Sequence, residues 1–379
     1  MYVCRDKVVL KVSQLCRFIT GAILRPTEDD EIYNFTVSGD LDLEKIYEDY
    51  DTLVQTMKEI SDRQDLIFGE IRFKSNYSPN VRMVNKFSEG RVFVAGDAAH
   101  VHSPAGGQGM NSSVQDAVRH EFLQKYHHEL IRIDDQLNLG WKLALVELGF
   151  ASESLLSTYT EERLPIISHM LKKTTTLFHS SINERANGDV TQGWARPRDL
   201  KMLGVNYRWS SIVLDERHPQ QTSGKEKPLI DAYGTNTSDG LHAGDRAPDA
   251  PGLAIVETGN VGCETTSLFR IFSSTRHTIL VLSSDSDQIT AVLGLAKKLP
   301  PRFVRTVVIL PQDSAPLPTA SGADVVCIDQ DGHGYTGYSD GTEGATVAVV
   351  RPDGVVGALV AGAIGLEAYF KNVFLNVKA

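Results

Sequence analysis

Apolar and polar positions along the chain alternate in ways that change from one stretch to the next. KVVLKV, CRFITGAILRP and EIYNFTV, within residues 7–37, are rich in β-branched and aromatic residues and predict strands. LDLEKIYEDYDTLVQTMKEI (41–60) sets Leu43, Ile46, Tyr50, Leu53, Val54 and Met57 on one face, the spacing of an amphipathic helix. LIFGEIRFKSNY (66–77) alternates as a strand does. The apolar run Val92–Ala95 predicts a buried strand that ends at Gly96-Asp97, with a loop and a helix following to about Ala117. NLGWKLALVELG (138–149) predicts an apolar helix. LLSTYTEERLPIISHMLKKTTTLFHSSI (155–182) predicts a long amphipathic one, bent at Pro165 where an amide proton is missing.

Residues 184–240 are polar and rich in Gly, Asn, Thr and Pro, and predict a surface connection. Beyond Leu241 the pattern tightens. HTILVLSS (277–284), VRTVVIL (304–310) and ADVVCIDQ (323–330) predict strands, with a helix over QITAVLGLAKKL (288–299). ATVAVVRPDGVVGALV (345–360) predicts a hairpin turning at Pro352-Asp353-Gly354, and IGLEAYFKNVFL (364–375) a closing helix. Strand, helix, strand, then hairpin and helix is a thioredoxin-like order, so the fold class is α/β (α+β).

Length and charge narrow the field. The 379 residues suggest two or three domains, and a net charge of −10 argues against a nucleic-acid or anionic-membrane surface. No apolar run is long enough to span a bilayer. Arg5, Asp6, Lys7 and Lys11 interrupt the N-terminus, so a secretory signal is not expected. Cys4, Cys16, Cys263 and Cys327 form neither a disulfide framework nor a metal spacing, and a cytoplasmic location is expected.

The richest stretch is GRVFVAGDAAHVHSPAGGQGMN (90–111). A carboxylate at a strand end, as at Asp97, can accept hydrogen bonds from sugar or ribitol hydroxyls. Gly106, Gly107 and Gly109 would let backbone approach a flat ligand, having no Cβ to clash. A helix is expected to start near Asn111-Ser112-Ser113, with Ser113 and Asp116 as a capping box, and its N-terminus would favour negative charge on a ligand. His100 and His102 have no accompanying ligand cluster and are read as loop and packing residues rather than a metal site. Lys86 and Arg91 are read as solvated, and Tyr33 and Tyr77 as core or edge residues.

These residues, with SSVQDA and NLGWKLALVELG after them, resemble the second FAD-binding motif of the aromatic-ring flavoprotein monooxygenases, in particular the phenol 2-monooxygenase branch. AGDRAPDAPGL (243–253), TSLFRIF (266–272) and VVRPDGVVGALV (349–360) resemble the thioredoxin-like C-terminal domain of that branch. The resemblance implies a cofactor site made by Gly96, Asp97, Pro104, Gly106, Gly107, Gln108, Gly109, Met110 and Asn111. Asp97 would hold the ribitol or pyrophosphate side of FAD, and Pro104 would lie near the isoalloxazine. Gly106 to Asn111 would meet its pyrimidine edge. Asn138, Trp141 and Lys142 would be structural. It further implies that NADPH reduces FAD and that O2 is added as a flavin C4a-hydroperoxide, which hydroxylates a phenolic ring. A homodimer through the C-terminal domain is also implied. No side chain is assigned a catalytic role, and the ring substrate is not named by the sequence.

The chain departs from the pattern in three places. No Gly-x-Gly-x-x-Gly follows a strand in residues 1–60, so the pyrophosphate-binding βαβ unit is missing and an N-terminally truncated chain, colourless when purified, is expected. Val118–Leu137 interrupts a run that is continuous in the family and is read as an insertion without chemistry. SSDSDQ stands where a Cys-x-x-Cys would follow the strand HTILVLSS, so disulfide exchange is not expected, and Cys327 is read as a small buried hydrophobe. The expected division is a substrate-sheet remnant (1–77), the C-terminal part of an FAD-binding domain (78–183), a connection (184–240) and a thioredoxin-like domain (241–379). The competing reading is an inactive fragment serving as a folded, dimerising thioredoxin-like remnant.

Overall fold

A computed structural model describes residues 2–4, 16–17, 20–29, 32–38, 41–76, 80–103, 107–116, 138–186, 202–219, 230–234, 240–257, 260–312, 314, 322–339 and 346–375. Two compact units divide the chain: Met1–Arg82 with His102–Gln108 and Leu171–Pro197, and Met83–Val101 with Gly109–Met170 and Arg198–Ala379.

The first unit carries an antiparallel sheet in the spatial order Tyr2–Cys4, Ile32–Ser38, Thr20–Pro26, Cys16–Arg17. Phe35 of this sheet packs with Ile46, Leu53, Met57 and Ile60 in a small core. The predicted helix over 41–60 is two helices, Leu43–Glu48 and Tyr50–Ser61. Asp49 breaks it: its backbone is extended and its carboxylate accepts the Thr52 amide at 2.9 Å, starting a new helix. Tyr50, expected on the buried face, is exposed, and its hydroxyl reaches the Phe68 and Gly69 carbonyls at 3.2 Å each. That contact helps explain why the expected strand at 66–77 is not one. Part of its backbone bonding goes to a side chain rather than to a neighbouring strand. KVVLKV and Tyr77 lie outside the described residues.

The second unit is built on eight strands in the spatial order Asn260–Thr266, Leu253–Glu257, Val325–Asp329, Val304–Leu310, His277–Leu282, Thr346–Val350, Val356–Val360, Leu214–Asp215. His277–Leu282, Val304–Leu310 and Val325–Asp329 run parallel, and Thr346–Val350 lies antiparallel against the first of them. Sheets covered on both faces read as continuous apolar runs, and all six residues of His277–Leu282 are buried. Ile279 and Val281 face one core, with Leu366, Phe370 and Val373 from the helix Ala363–Val373; Leu280 and Leu282 face the other, with Ala250, Leu268 and Tyr338. The helix Ser286–Ala296 starts where a redox motif would stand. There Asp285 caps it, accepting from the Asp287 and Gln288 amides.

Two elements expected elsewhere join this unit. Trp141 and Leu145 of the helix Asn138–Glu147, with Leu155, lie in the same core as Ile279 and Val281. Residues 202–216 are not a surface connection: Val205, Tyr207 and Ile212 are buried, and Leu214–Asp215 pairs in parallel with Val356–Val360. The helix Ser154–Ala186 is continuous through Pro165. The proline cannot donate to the Glu161 carbonyl, and the Trp209 indole N–H takes its place at 2.9 Å. No helix among the described residues is long and apolar enough to cross a membrane.

Candidate cofactor site

The glycine-rich stretch is shaped by one aspartate. The chain leaves a two-residue strand, Val92–Phe93, which among the described residues pairs with Ser88–Glu89 alone and leaves Val92 exposed, so the buried strand expected at 92–95 is a short hairpin edge. A tight turn at Gly96–Ala98 follows. Gly96 has φ +58, and a Cβ there would meet the Ser113 Oγ at 3.0 Å. The turn is thus pressed onto the helix Gly109–Asp116. Asp116 fixes it: its Oδ2 accepts the Gly96 amide at 3.0 Å and bonds His100 Nε2 at 2.7 Å, while Oδ1 accepts Arg163 Nε at 2.8 Å. Burial raises the Asp116 carboxyl pKa, but Arg163 and His100 outweigh it and hold it below the usual value.

The capping box expected of Ser113 and Asp116 does not form. The helix begins at Gly109 instead of near Asn111. Ser113 lies inside it, donating to the Gly109 carbonyl at 2.9 Å, and Asp116 is buried in the ion pair. His100 is buried against Phe87, and the His102 ring bonds the Ser103 carbonyl.

From Asp116 a wholly buried set of charges runs through the second unit. Arg163 also donates to the Tyr207 hydroxyl at 3.2 Å and the Ser112 carbonyl at 3.3 Å. Its neighbour Glu162 accepts Arg351 Nη1 at 2.7 Å and Nη2 at 3.0 Å, Lys142 Nζ at 2.7 Å, Asn138 Nδ2 at 2.5 Å and the Ser210 hydroxyl at 2.6 Å. Arg351 in turn holds Asp353 and lies over the Trp141 and Tyr207 rings. Three carboxylates (Asp116, Glu162, Asp353) balance three cations (Arg163, Lys142, Arg351). Burial pushes the Lys142 ammonium down to about 8, against the pull of Glu162, so it remains charged at neutral pH. Glu162 is held well below the usual carboxylate range because Arg351 and Lys142 outweigh its burial. Of these charges the sequence singles out only Lys142, as structural, and Asp116, as part of a capping box. The available signal was Lys142 inside an apolar helix, since a lysine there must find a counter-charge.

Of the nine residues expected to meet FAD, the structure brings Gly96 and Asp97 onto the helix that starts at Gly109, Met110 and Asn111. Gly107, with φ +64, and the buried Gln108 belong to the other unit, and Pro104 and Gly106 lie outside the described residues. Asp97, Met110 and Asn111 are exposed, and the Asp97 carboxylate has no hydrogen bond or ion pair among the described residues. A free carboxylate on a fixed turn, beside an exposed helix start, suits a polyhydroxylated ligand whose ring becomes anionic. The residues present fit FAD.

Residues 8–120 and 131–174 match the FAD binding domain family. The unmatched residues 121–130 fall inside the stretch read as an insertion, which lies outside the described residues. Among curated proteins, the chain is 35% identical over 242 residues to a flavin-dependent monooxygenase of Mycobacteroides abscessus, covering 64% of this chain and 39% of the relative. It is 28% identical over 298 residues to pentachlorophenol 4-monooxygenase of Sphingobium chlorophenolicum, covering 76% of this chain and 46% of the relative. The chain therefore spans less than half the length of either. In fold it is similar to aklavinone-11 hydroxylase solved with FAD and aklavinone, at 22% identity and TM-score 0.65, covering 94% of this chain and 57% of that one. It is also similar to the flavin-dependent monooxygenase PieE solved with FAD and substrate, at 18% identity and TM-score 0.61, covering 93% and 60%. The chain has the mixed α/β fold of FAD-dependent aromatic hydroxylases, and its curated relatives are flavin-dependent monooxygenases.

Proposed function

We propose that this chain is the part of an FAD-dependent monooxygenase that holds one side of the cofactor, and that the enzyme hydroxylates a phenolic aromatic ring with NADPH as reductant and O2 as oxidant. The observation that carries the reading is the unpartnered Asp97 carboxylate on a turn that Asp116 ties down by the Gly96 amide. FAD, when bound, supplies the oxygen activation, which no amino-acid side chain provides. Asp97 accepts hydrogen bonds from its ribitol hydroxyls. The amides at the start of Gly109–Asp116 favour negative charge on its ring. Asp116, held by His100 and Arg163, acts through the Gly96 amide to fix the turn that carries Asp97.

The phenol 2-monooxygenase branch is the finer reading. Its support is the order Val304–Leu310, His277–Leu282, Thr346–Val350, Val356–Val360, with the first pair parallel and the others antiparallel, which is thioredoxin-like. On that reading the unit contributes a dimer contact and no redox chemistry. Cys327 is buried, and burial pushes its thiol up to about 12.

The test is titration of FAD into the purified chain, followed by flavin fluorescence. With one side of the cofactor unheld, binding is expected to be too weak to survive purification yet measurable on titration, and its weakening by about tenfold or more in Asp97→Ala supports the site, since a bond to a charged group contributes ~1.5–3 kcal/mol. No binding, or equal binding by the variant, removes it.

A further inference from the structure

Asp215, His218 and His242 come together on the edge of the large sheet, 24 residues apart in sequence between the two histidines. One donor atom from each lies within 4.8 Å of the other two. His218 Nδ1 is 3.7 Å from Asp215 Oδ1, and His242 Nδ1 is 4.0 Å from Asp215 Oδ2. The imidazole centroids are 4.1 Å apart. These separations are too long for direct hydrogen bonds, whose N···O distances run to ~3.2 Å. They exceed by about 0.4 and 0.7 Å the spacing between ligands around a tetrahedral ion, about 3.3 Å for bonds of about 2.0 Å, so small side-chain rotations would bring the donors onto one ion.

The arrangement is built into the backbone. Asp215 Oδ1 accepts the Arg217 and His218 amides at 3.0 and 2.9 Å, which turns the chain so that His218 faces back. Its Oδ2 accepts the Ala243 amide at 2.8 Å, which draws His242 alongside. Gly244 then lets this segment lie on its neighbour. It has φ +98, a Cβ there would stand 2.5 Å from the Arg208 Cα, and its carbonyl accepts the Tyr207 amide at 2.7 Å. Oδ1 has both lone pairs on amides, whereas Oδ2 keeps one beyond its single bond and is the oxygen free to take an ion. Asp215 is buried at 8% side-chain exposure while His218 is open at 41%, so one side of the cluster is fixed and the other reachable by solvent. Neighbouring charges are tied elsewhere: Arg208 grips Asp245 in a two-pronged pair, and Arg217 reaches the Tyr338 carbonyl and Thr346.

We infer that Asp215, His218 and His242 bind one divalent transition-metal ion through two imidazole nitrogens and one carboxylate, leaving at least one coordination position open. Two imidazoles and a single carboxylate select zinc-like ions over calcium or magnesium, which take oxygen ligands.

Zinc chloride titrated into the metal-stripped full chain, followed by calorimetry, tests the site. One ion per chain is expected, bound at least about tenfold more weakly by His242→Gln and by His218→Gln, the scale on which metal sites respond to lost support. Zinc should raise the melting temperature of the wild type and not that of the double variant. The two histidine substitutions remove ligands without removing the backbone bonds to Asp215, and circular dichroism of the variants without metal reports that they fold. Absence of zinc binding by the wild type overturns the site. So does equal affinity in the double variant, which would place the ion on other surface histidines.

Discussion

Arg351 grips Glu162 with both guanidinium arms across 189 residues of sequence, and neither side chain touches water. The pair joins the helix Ser154–Ala186 to the hairpin Thr346–Val360 of the sheet. Glu162→Gln would leave Arg351 and Lys142 to share Asp353. Losing one partner of a buried pair costs about 3–5 kcal/mol, and urea unfolding of the variant should show a loss of that size. A loss below about 1 kcal/mol would mean that the cations find other partners. The same pair sets an acid limit. Glu162 has its pKa lowered by folding, so its stabilisation is complete above its ordinary value of 4.5 and is lost as pH falls below it. The acid limb of the stability profile should be shallower in Glu162→Gln.

His277 sits among the edges of Trp141, Tyr369, Phe370 and Phe374. Burial, with Arg351 adding to it, holds its pKa down to about 3 from 6.5. Between those values the unfolded chain binds a proton that the folded chain refuses, so stability falls as pH drops from 6.5 towards 3. At pH 5 this costs the wild type about 2 kcal/mol, at 1.36 kcal/mol per unit. His277→Phe keeps the aromatic packing and removes the proton. Its stability should match the wild type near pH 7 and exceed it at pH 5. Parallel profiles for the two proteins would overturn the assignment.

Gly96→Ala puts a Cβ on a left-handed residue and against Ser113. The backbone alone costs about 1–2 kcal/mol, and FAD binding should weaken along with thermal stability because the turn carries Asp97. Lost stability with unchanged FAD binding would separate the turn from the cofactor.

Much of the sheet is legible because its central strands are buried and largely apolar. VRTVVIL was predicted at 304–310 and forms the strand Val304–Leu310. The strand predicted at 66–77 failed because alternation needs a neighbour to become a strand, and Tyr50 bonds part of its backbone instead. The glycine loop suggests a ligand from sequence alone, yet the residue that anchors its turn does not stand out there. Asp116 looks like any residue of a helix's first turns, and only the fold sets it against Gly96 and Arg163. The cluster of Asp215 and two histidines was equally hidden, since its spacing has no local motif.

The shared core has a consequence for dissecting this protein. A fragment starting at residue 241 would keep most of the sheet, but it would expose the patch now covered by Trp141, Leu145 and Leu155. It would also strand Arg351 without Glu162 and strip the strand Leu214–Asp215 from the sheet's margin. Excised this way, the C-terminal third would be an open-edged piece with an unpaired buried charge and prone to self-association, so an expression boundary that keeps it soluble begins upstream of the helix Asn138–Glu147.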